Sequence, residues 1–380
     1  MKIKQENFKD QEWSTIRESD GWDSESCQLV LVFGSKQLLK EATHFAEIKK
    51  KYPRANIVLA STAGEIAGDE VFDDTLAITA ICFEKSKVKC AETHISQYSN
   101  SRDAGHALIQ QINQAGLVSV FVIADGTTIN GSELVAGLND FISQKIPIIG
   151  GLAGDGDAFD STVVGLNAVP TEGTLVVVGL YGESLSIGYG SLGGWDEFGP
   201  ERTITRSDRN TLYEIDGKNA LELYKTYLGP YVKELPGSAL LFPLALSLEG
   251  STEKLVRTIL TIDETQQSMT FAGNLPEGSK VRLMKANFSK LINAASVAAE
   301  DALSSLANHQ PELAILISCV GRKMILQQRI SEEIEAAREL LGTSTFITGF
   351  YSYGELSPLK DTFRCELHNQ TMTITTLSEA

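Results

Sequence analysis

The sequence predicts an α/β protein with α+β-like mixed sheets: two domains of repeated strand-helix-strand-turn-strand units, with helices covering the sheets. Three observations predict it. The order strand, helix, strand, glycine-acid turn, strand occurs three times along the chain. In each copy the crossover helix favours parallel pairing of the strands it joins, while the trailing strand reads as antiparallel. The chain has 380 residues, 42% hydrophobic and 22% charged, which suits two ordinary globular domains whose core needs no disulfide or structural metal.

Residues 1–26 are polar and read as an N-terminal extension; the first domain is then 27–234 and the second 235–380. Copy one opens on the apolar run Leu29 to Phe33. A helix follows, with Leu38, Leu39, Ala42, Phe45, Ala46 and Ile48 on one face, and Tyr52-Pro53 stops it. Ile57 to Ala60 enters the turn Ser61-Thr62-Ala63-Gly64-Glu65, and Thr75 to Phe83 returns. Copy two runs from Val118 to Ala124. A helix capped by Ser132 carries Leu134, Val135, Leu138, Phe141 and Ile142 on its apolar face. Ile146 to Ile149 then leads into Gly150-Gly151-Leu152-Ala153-Gly154-Asp155, and Thr174 to Leu180 returns. Between copies two and three, Gly188 to Gly194 reads as a loop, and a helix is expected around Ala220 to Tyr227. Gly229-Pro230 and Pro236-Gly237 break the chain. Val256 to Thr261 and Met269 to Ala272 form a hairpin-like pair, and Phe288 to Leu306 is a long helix. Copy three opens on Leu313 to Ile317, closing on Ser318-Cys319-Val320-Gly321-Arg322. Its helix opens at Ser331, and Gly342 sits just past its end. Phe346 to Phe350 enters Tyr351-Ser352-Tyr353-Gly354-Glu355, and Met372 to Leu377 returns.

The net charge of −16 and pI near 4.8 argue against nucleic acid as a partner, because like charges repel at long range. Lys49-Lys50-Lys51, the longest basic cluster, sits where a helix ends and suits the helix dipole. The N-terminus lacks a signal-peptide pattern and no apolar run would span a bilayer, so the expected location is the cytoplasm, without a membrane partner. The cysteines Cys27, Cys82, Cys90, Cys319 and Cys365 show no Cys-x-x-Cys spacing, which disfavours a zinc knuckle or a disulfide framework.

Gly64, Gly154 and Gly354 fit positions of positive φ. The acids beside them, Glu65, Asp155 and Glu355, could accept bonds from a ligand amine, and ligands in α/β sheets sit at strand C-terminal ends. Against this, a glycine-acid pair is also ordinary turn chemistry. Arg322 ends a strand and could hold a carboxylate by paired bonds. Cys319 could be a nucleophile, yet no histidine in its turn would activate it. Among the histidines, His44 and His106 fall in amphipathic helices where exposure is expected; His94 ends the run Val88 to Ile95, and His368 precedes the last strand. Walker A, Gly-x-Gly-x-x-Gly, His-Glu-x-x-His, Gly-x-Ser-x-Gly and Cys-x-x-Cys-His motifs are all lacking.

Ala60-Ser61-Thr62-Ala63-Gly64-Glu65 and Ile149 to Asp155 resemble the N-terminal domain of the FIST family. Ser318 to Arg322, Gly349 to Glu355 and Leu367-His368-Asn369-Gln370-Thr371 resemble its C-terminal domain. The resemblance covers nearly the whole chain and rests on these segments in this order. It implies an intracellular sensory, signal-transducing module rather than an enzyme. Ser61, Gly64, Glu65, Gly154, Asp155, Cys319, Arg322, Tyr353, Gly354, Glu355 and Asn369 would be its ligand-binding set. No kinase, cyclase or methyl-accepting segment is attached, so output is expected to pass to another polypeptide, and a homodimer is allowed. Stand-alone proteins of this family resemble bacterial nitric oxide sensors, which bind b-type haem and regulate a histidine kinase. On that resemblance one of His94, His106 or His368 would be the axial ligand. The alternatives are a metal-free sensor of amino-acid-like metabolites, with Arg322 on the carboxylate, and a Cys319-dependent hydrolase.

Overall fold

The computed structural model describes residues 1–143, 145–306 and 309–380. In copy one, Leu29–Gly34 pairs parallel with Asn56–Ser61 and antiparallel with Leu76–Cys82. Copies two and three repeat the pattern. Leu117–Ala124 pairs parallel with Ile148–Leu152 and antiparallel with Thr174–Tyr181. Leu313–Cys319 pairs likewise with Phe346–Ser352 and Met372–Glu379. Nearly every residue of these strands is buried, as expected where helices cover one face and other sheets the opposite face.

No sheet is complete within its own copy. The strand after the turn of each copy crosses to the previous copy: Glu65–Ala67 pairs with Phe346–Ser352, Val164–Leu166 with Asn56–Ser61, and Gly354–Pro358 with Ile148–Leu152. The strand after each returning strand crosses to the next copy. Lys87–His94 pairs with Thr174–Tyr181, and Leu185–Leu192 with Met372–Glu379. The N-terminal strand Lys2–Lys9 fills the matching place beside Leu76–Cys82 and closes the ring, with the Met1 amino group 3.4 Å from Glu379. Residues 1–26, read from sequence as an extension, thus lie partly inside the first sheet. The inner faces of the three sheets meet in an apolar hub that includes Phe33, Phe121 and Phe350, with the rings of Phe33 and Phe350 4.7 Å apart.

Between copies two and three the chain builds a fourth, antiparallel sheet with a core of its own, in which the helix Ala220–Leu228 packs. The expected hairpin is only half right. Ile259–Asp263 pairs with Ser268–Phe271, whereas Lys254–Arg257 turns to Leu244–Ser247. Most of the glycine-rich run, Gly188 to Leu192, is not a loop but part of the strand Leu185–Leu192, lying under the long helix Phe288–Ser304; only Gly193 and Gly194 fall beyond it. A Cβ on Gly188 would stand 1.9 Å from the Ala302 carbonyl oxygen, and one on Gly190 would stand 2.2 Å from that of Ala298. These glycines let helix and strand backbones touch. The cap of the copy-two helix is Asn130, whose side chain accepts from Glu133 N; Ser132 instead accepts from Asn274 N at 3.0 Å, tying the insert to the ring.

Candidate functional site

Two of the three glycine-acid pairs share one local design. Glu65 accepts from the Thr62 hydroxyl at 2.6 Å and the Thr75 hydroxyl at 2.7 Å. Glu355 accepts from Ser352 at 2.7 Å and Thr371 at 2.8 Å. Each carboxyl therefore ties its turn to the foot of the returning strand. Burial pushes Glu65 up to about 7 and Glu355 up to about 8, against the pull of the hydroxyl bonds.

The third pair differs. By register, the residue matching Glu65 and Glu355 in copy two is Val164, because the chain makes a longer excursion before its crossing strand. Asp155 lies on that excursion and is released from the structural role. Its carboxylate accepts from the Tyr353 hydroxyl, from Ser161 N at 2.9 Å and from Asp160 N at 3.0 Å, with Lys36 Nζ at 3.4 Å. Burial works the other way, but these bonds hold the Asp155 carboxyl below its usual range. Only Gly64 of the three turn glycines has a positive φ, +134°. Gly154 is needed for closeness instead, since a Cβ would lie 2.8 Å from Ala63 N; at Gly354 a Cβ would meet only side chains, Leu367 Cδ1 at 2.8 Å.

A cleft of about 510 Å³ opens where pieces of all three copies meet. Copy one supplies Lys36, Glu65 and Asp73, the copy-two excursion supplies Asp155 and Asp157, and copy three supplies Lys323. Lys36 sits just beyond the first strand and reaches Ser161 Oγ at 3.0 Å. Lys323 projects from the helix Val320–Leu326 onto the Ala63 carbonyl at 2.9 Å and pairs with Asp73. A surface of this kind presents fixed charges of both signs within one concave site. Lys36, Asp73 and Lys323 carry no motif, and the signal that could have found them was only their place just beyond strand ends.

The other residues expected from the sequence lie elsewhere. Ser61 is buried and accepts from Val163 N at 2.9 Å. Arg322 is fully buried: it pairs with Glu333 at 2.8 Å and donates to the carbonyls of Gly193 and Leu291 at 2.8 and 2.6 Å. Its fork is taken up inside the protein. Cys319 is buried and its thiol is pushed up by that burial. Asn369 is wholly buried, with its amide on the His368 carbonyl at 3.0 Å. Tyr353 does not line the cleft, but its hydroxyl donates to Asp155, which does.

None of the three histidines proposed as haem ligands lines this cleft. His94 is held through Nδ1 by Ser96 N at 3.2 Å and through Nε2 by the Glu172 carbonyl at 2.8 Å. His106 is exposed on its helix, paired with Gln110 at 3.0 Å. His368 is buried, 3.1 Å from the Ser357 carbonyl, and burial lowers it to about 4, so it is neutral. These residues do not fit an axial ligand facing an open apolar pocket. His44, expected on the surface, is buried against Phe8 with rings 4.4 Å apart. Among the described residues no helix is long and apolar enough to cross a membrane, and no group of three or more metal-ligating side chains converges.

The comparisons address the family directly. The FIST N domain model matches residues 28–218 and the FIST C domain model matches 220–358, meeting upstream of the 234/235 boundary read from sequence. No curated protein matches the chain significantly. A solved structure, that of cyanuric acid hydrolase from A. caulinodans, shares 11% identity over 77% of this chain and 99% of that one. Its TM-score of 0.19 is too low to inform fold or function. The chain therefore belongs to the FIST family, whose domains are sensory signal-transduction modules that bind small ligands.

Proposed function

We propose that this protein is a cytoplasmic, non-catalytic sensor whose charged cleft binds a zwitterionic, amino-acid-like metabolite without a metal. The observation that carries this reading is the meeting of Lys36 and Lys323 with Asp155 and Asp73 in one cleft built from all three copies. The lysines suit a carboxylate and the acids an ammonium group. A ligand that touches three copies at once favours whichever arrangement of them fits it best, and that difference is what a partner protein reads. A histidine kinase is the partner class implied by the family resemblance. Titration calorimetry and thermal shift with the twenty amino acids test the reading. At least one is expected to bind, with Lys36→Ala and Asp155→Asn each weakening it tenfold or more; at a hundredfold excess over Kd the wild type gains about 2.7 kcal/mol. A flat response across the set overturns it.

The haem-based reading, with nitric oxide as the signal, finds less support because His94, His106 and His368 are engaged or exposed as described. Haem titration followed at the Soret band separates the two. A broad, non-stoichiometric band is expected. A sharp 1:1 band abolished by a single His→Ala change would reverse the choice.

A further inference from the structure

The excursion that carries Asp155 has a second side. Beyond it lies another cleft, of about 470 Å³, between copy two and the insert. Thr127, Thr128 and Asn130 line it from the ring, and Asn210, Leu260 and Phe271 from the insert. Phe159 and Tyr353 line it on the side of the excursion. Their rings are 4.6 Å apart and 17° from parallel, and Phe159 N donates to the Tyr353 hydroxyl at 3.1 Å. Phe159 is 43% exposed, and its backbone sits at φ +51°, a conformation a bulky aromatic rarely adopts. An exposed aromatic held in that conformation calls for a reason beyond packing.

The chemistry of this cleft contrasts with that of the first. Among the described residues Asp160 is its only charged lining residue, and the Asp160 carboxylate is turned away, 3.6 Å from Lys36. What remains is an aromatic step, aliphatic side chains, the Thr128 hydroxyl on the ring side and Asn210 Oδ1 on the insert side; Thr127 is bonded to Asp125, and Asn130 to Asn274 and Glu133 N. We infer that this second cleft binds a planar, uncharged nitrogen heterocycle, stacked at Phe159 and hydrogen-bonded across the gap between ring and insert. An aromatic step supplies stacking without demanding charge, and Thr128 and Asn210 orient a ring's polar edge. The inference stands apart from the amino-acid reading, since the two clefts share no side chain that recognises a ligand.

Titration calorimetry of the full chain with adenine, indole and nicotinamide as separate probes tests it. At least one is expected to bind with 1:1 stoichiometry. Phe159→Ala should weaken that binding about tenfold, the scale of one lost stacking contact. Ala272→Trp, which fills the cleft from the insert side, should abolish it without relying on the first variant to fold. Lys323→Ala, whose side chain donates to Ala63 and pairs with Asp73 at the first cleft, should leave it unchanged. The inference is overturned if no probe binds, if binding survives both Phe159→Ala and Ala272→Trp, or if Lys323→Ala removes it and so moves the ring to the first cleft.

Discussion

Glu355 is wholly buried, yet it is a carboxylic acid whose bonds all come from its own turn and the foot of the next strand. Its proton is held more tightly in the native state than in the unfolded chain. Its contribution to stability is therefore complete below about 4.5 and is lost as pH climbs through about 8. Glu65 behaves alike up to about 7. His368 has the opposite sign: held at about 4 when folded against 6.5 otherwise, it contributes fully above 6.5 and loses that contribution as pH falls toward 4. Of these three groups, only the two acids remain in play above pH 6.5. Urea unfolding at pH 6.5 and 8 should show the wild type losing roughly 2 kcal/mol, and Glu355→Gln losing much less. Equal slopes for both proteins would assign the loss elsewhere. The repeated acids were legible in the sequence, but their role was not, because Thr75 and Thr371 lie 10 and 16 residues from the acids they serve. Asp155 looked like their equal for the same reason: spacing records neighbours along the chain and is silent on strand register.

The strand Leu185–Leu192 shows what a local reading of glycine misses. Glycines clustered in sequence usually break structure, but here they remove the side chains that would keep a helix at a distance. The partner helix was readable on its own, since Ala294, Ala295, Ala298, Ala299 and Ala302 keep one face small and fully buried. The glycine strand becomes intelligible only once the two are paired. Gly188→Val is expected to cost about 3 kcal/mol or more, because its Cβ would meet the Ala302 carbonyl. Ser191→Ala in the same strand removes a buried hydroxyl that has no partner among the described residues and should change stability by less than about 0.5 kcal/mol. Denaturant midpoints for the two variants check the contrast, and similar midpoints would refute the packing account.

At the scale of the molecule, the three copies were legible as units, each with its parallel pair and antiparallel return. The exchange of strands between them was not: Glu65–Ala67 and Val164–Leu166 carry only three residues each, and the eight-residue Lys87–His94 and Leu185–Leu192 give no sign along the chain of which sheet they join. The exchange makes a cut between the two FIST domains costly. Residues 1–234 alone would lack Gly354–Pro358 for the second sheet, and 235–380 alone would lack Glu65–Ala67 and Leu185–Leu192 for the third. Each half expressed alone should therefore be aggregated or non-cooperative, whereas the two halves co-expressed should co-elute as one species with a single thermal transition. A half that melts cooperatively near the intact protein's Tm would contradict this.

Handing strands forward and back around a closed circuit is what three identical short chains could do about a threefold axis. Such a trimer would be bound by its symmetry: each corner would be the same as the others, and any insertion would appear three times. Joining the copies into one polypeptide lifts that constraint. The fourth sheet is carried in a single link, one excursion is lengthened while two stay short, and neighbouring corners come to offer a charged cleft on one side and an aromatic one on the other.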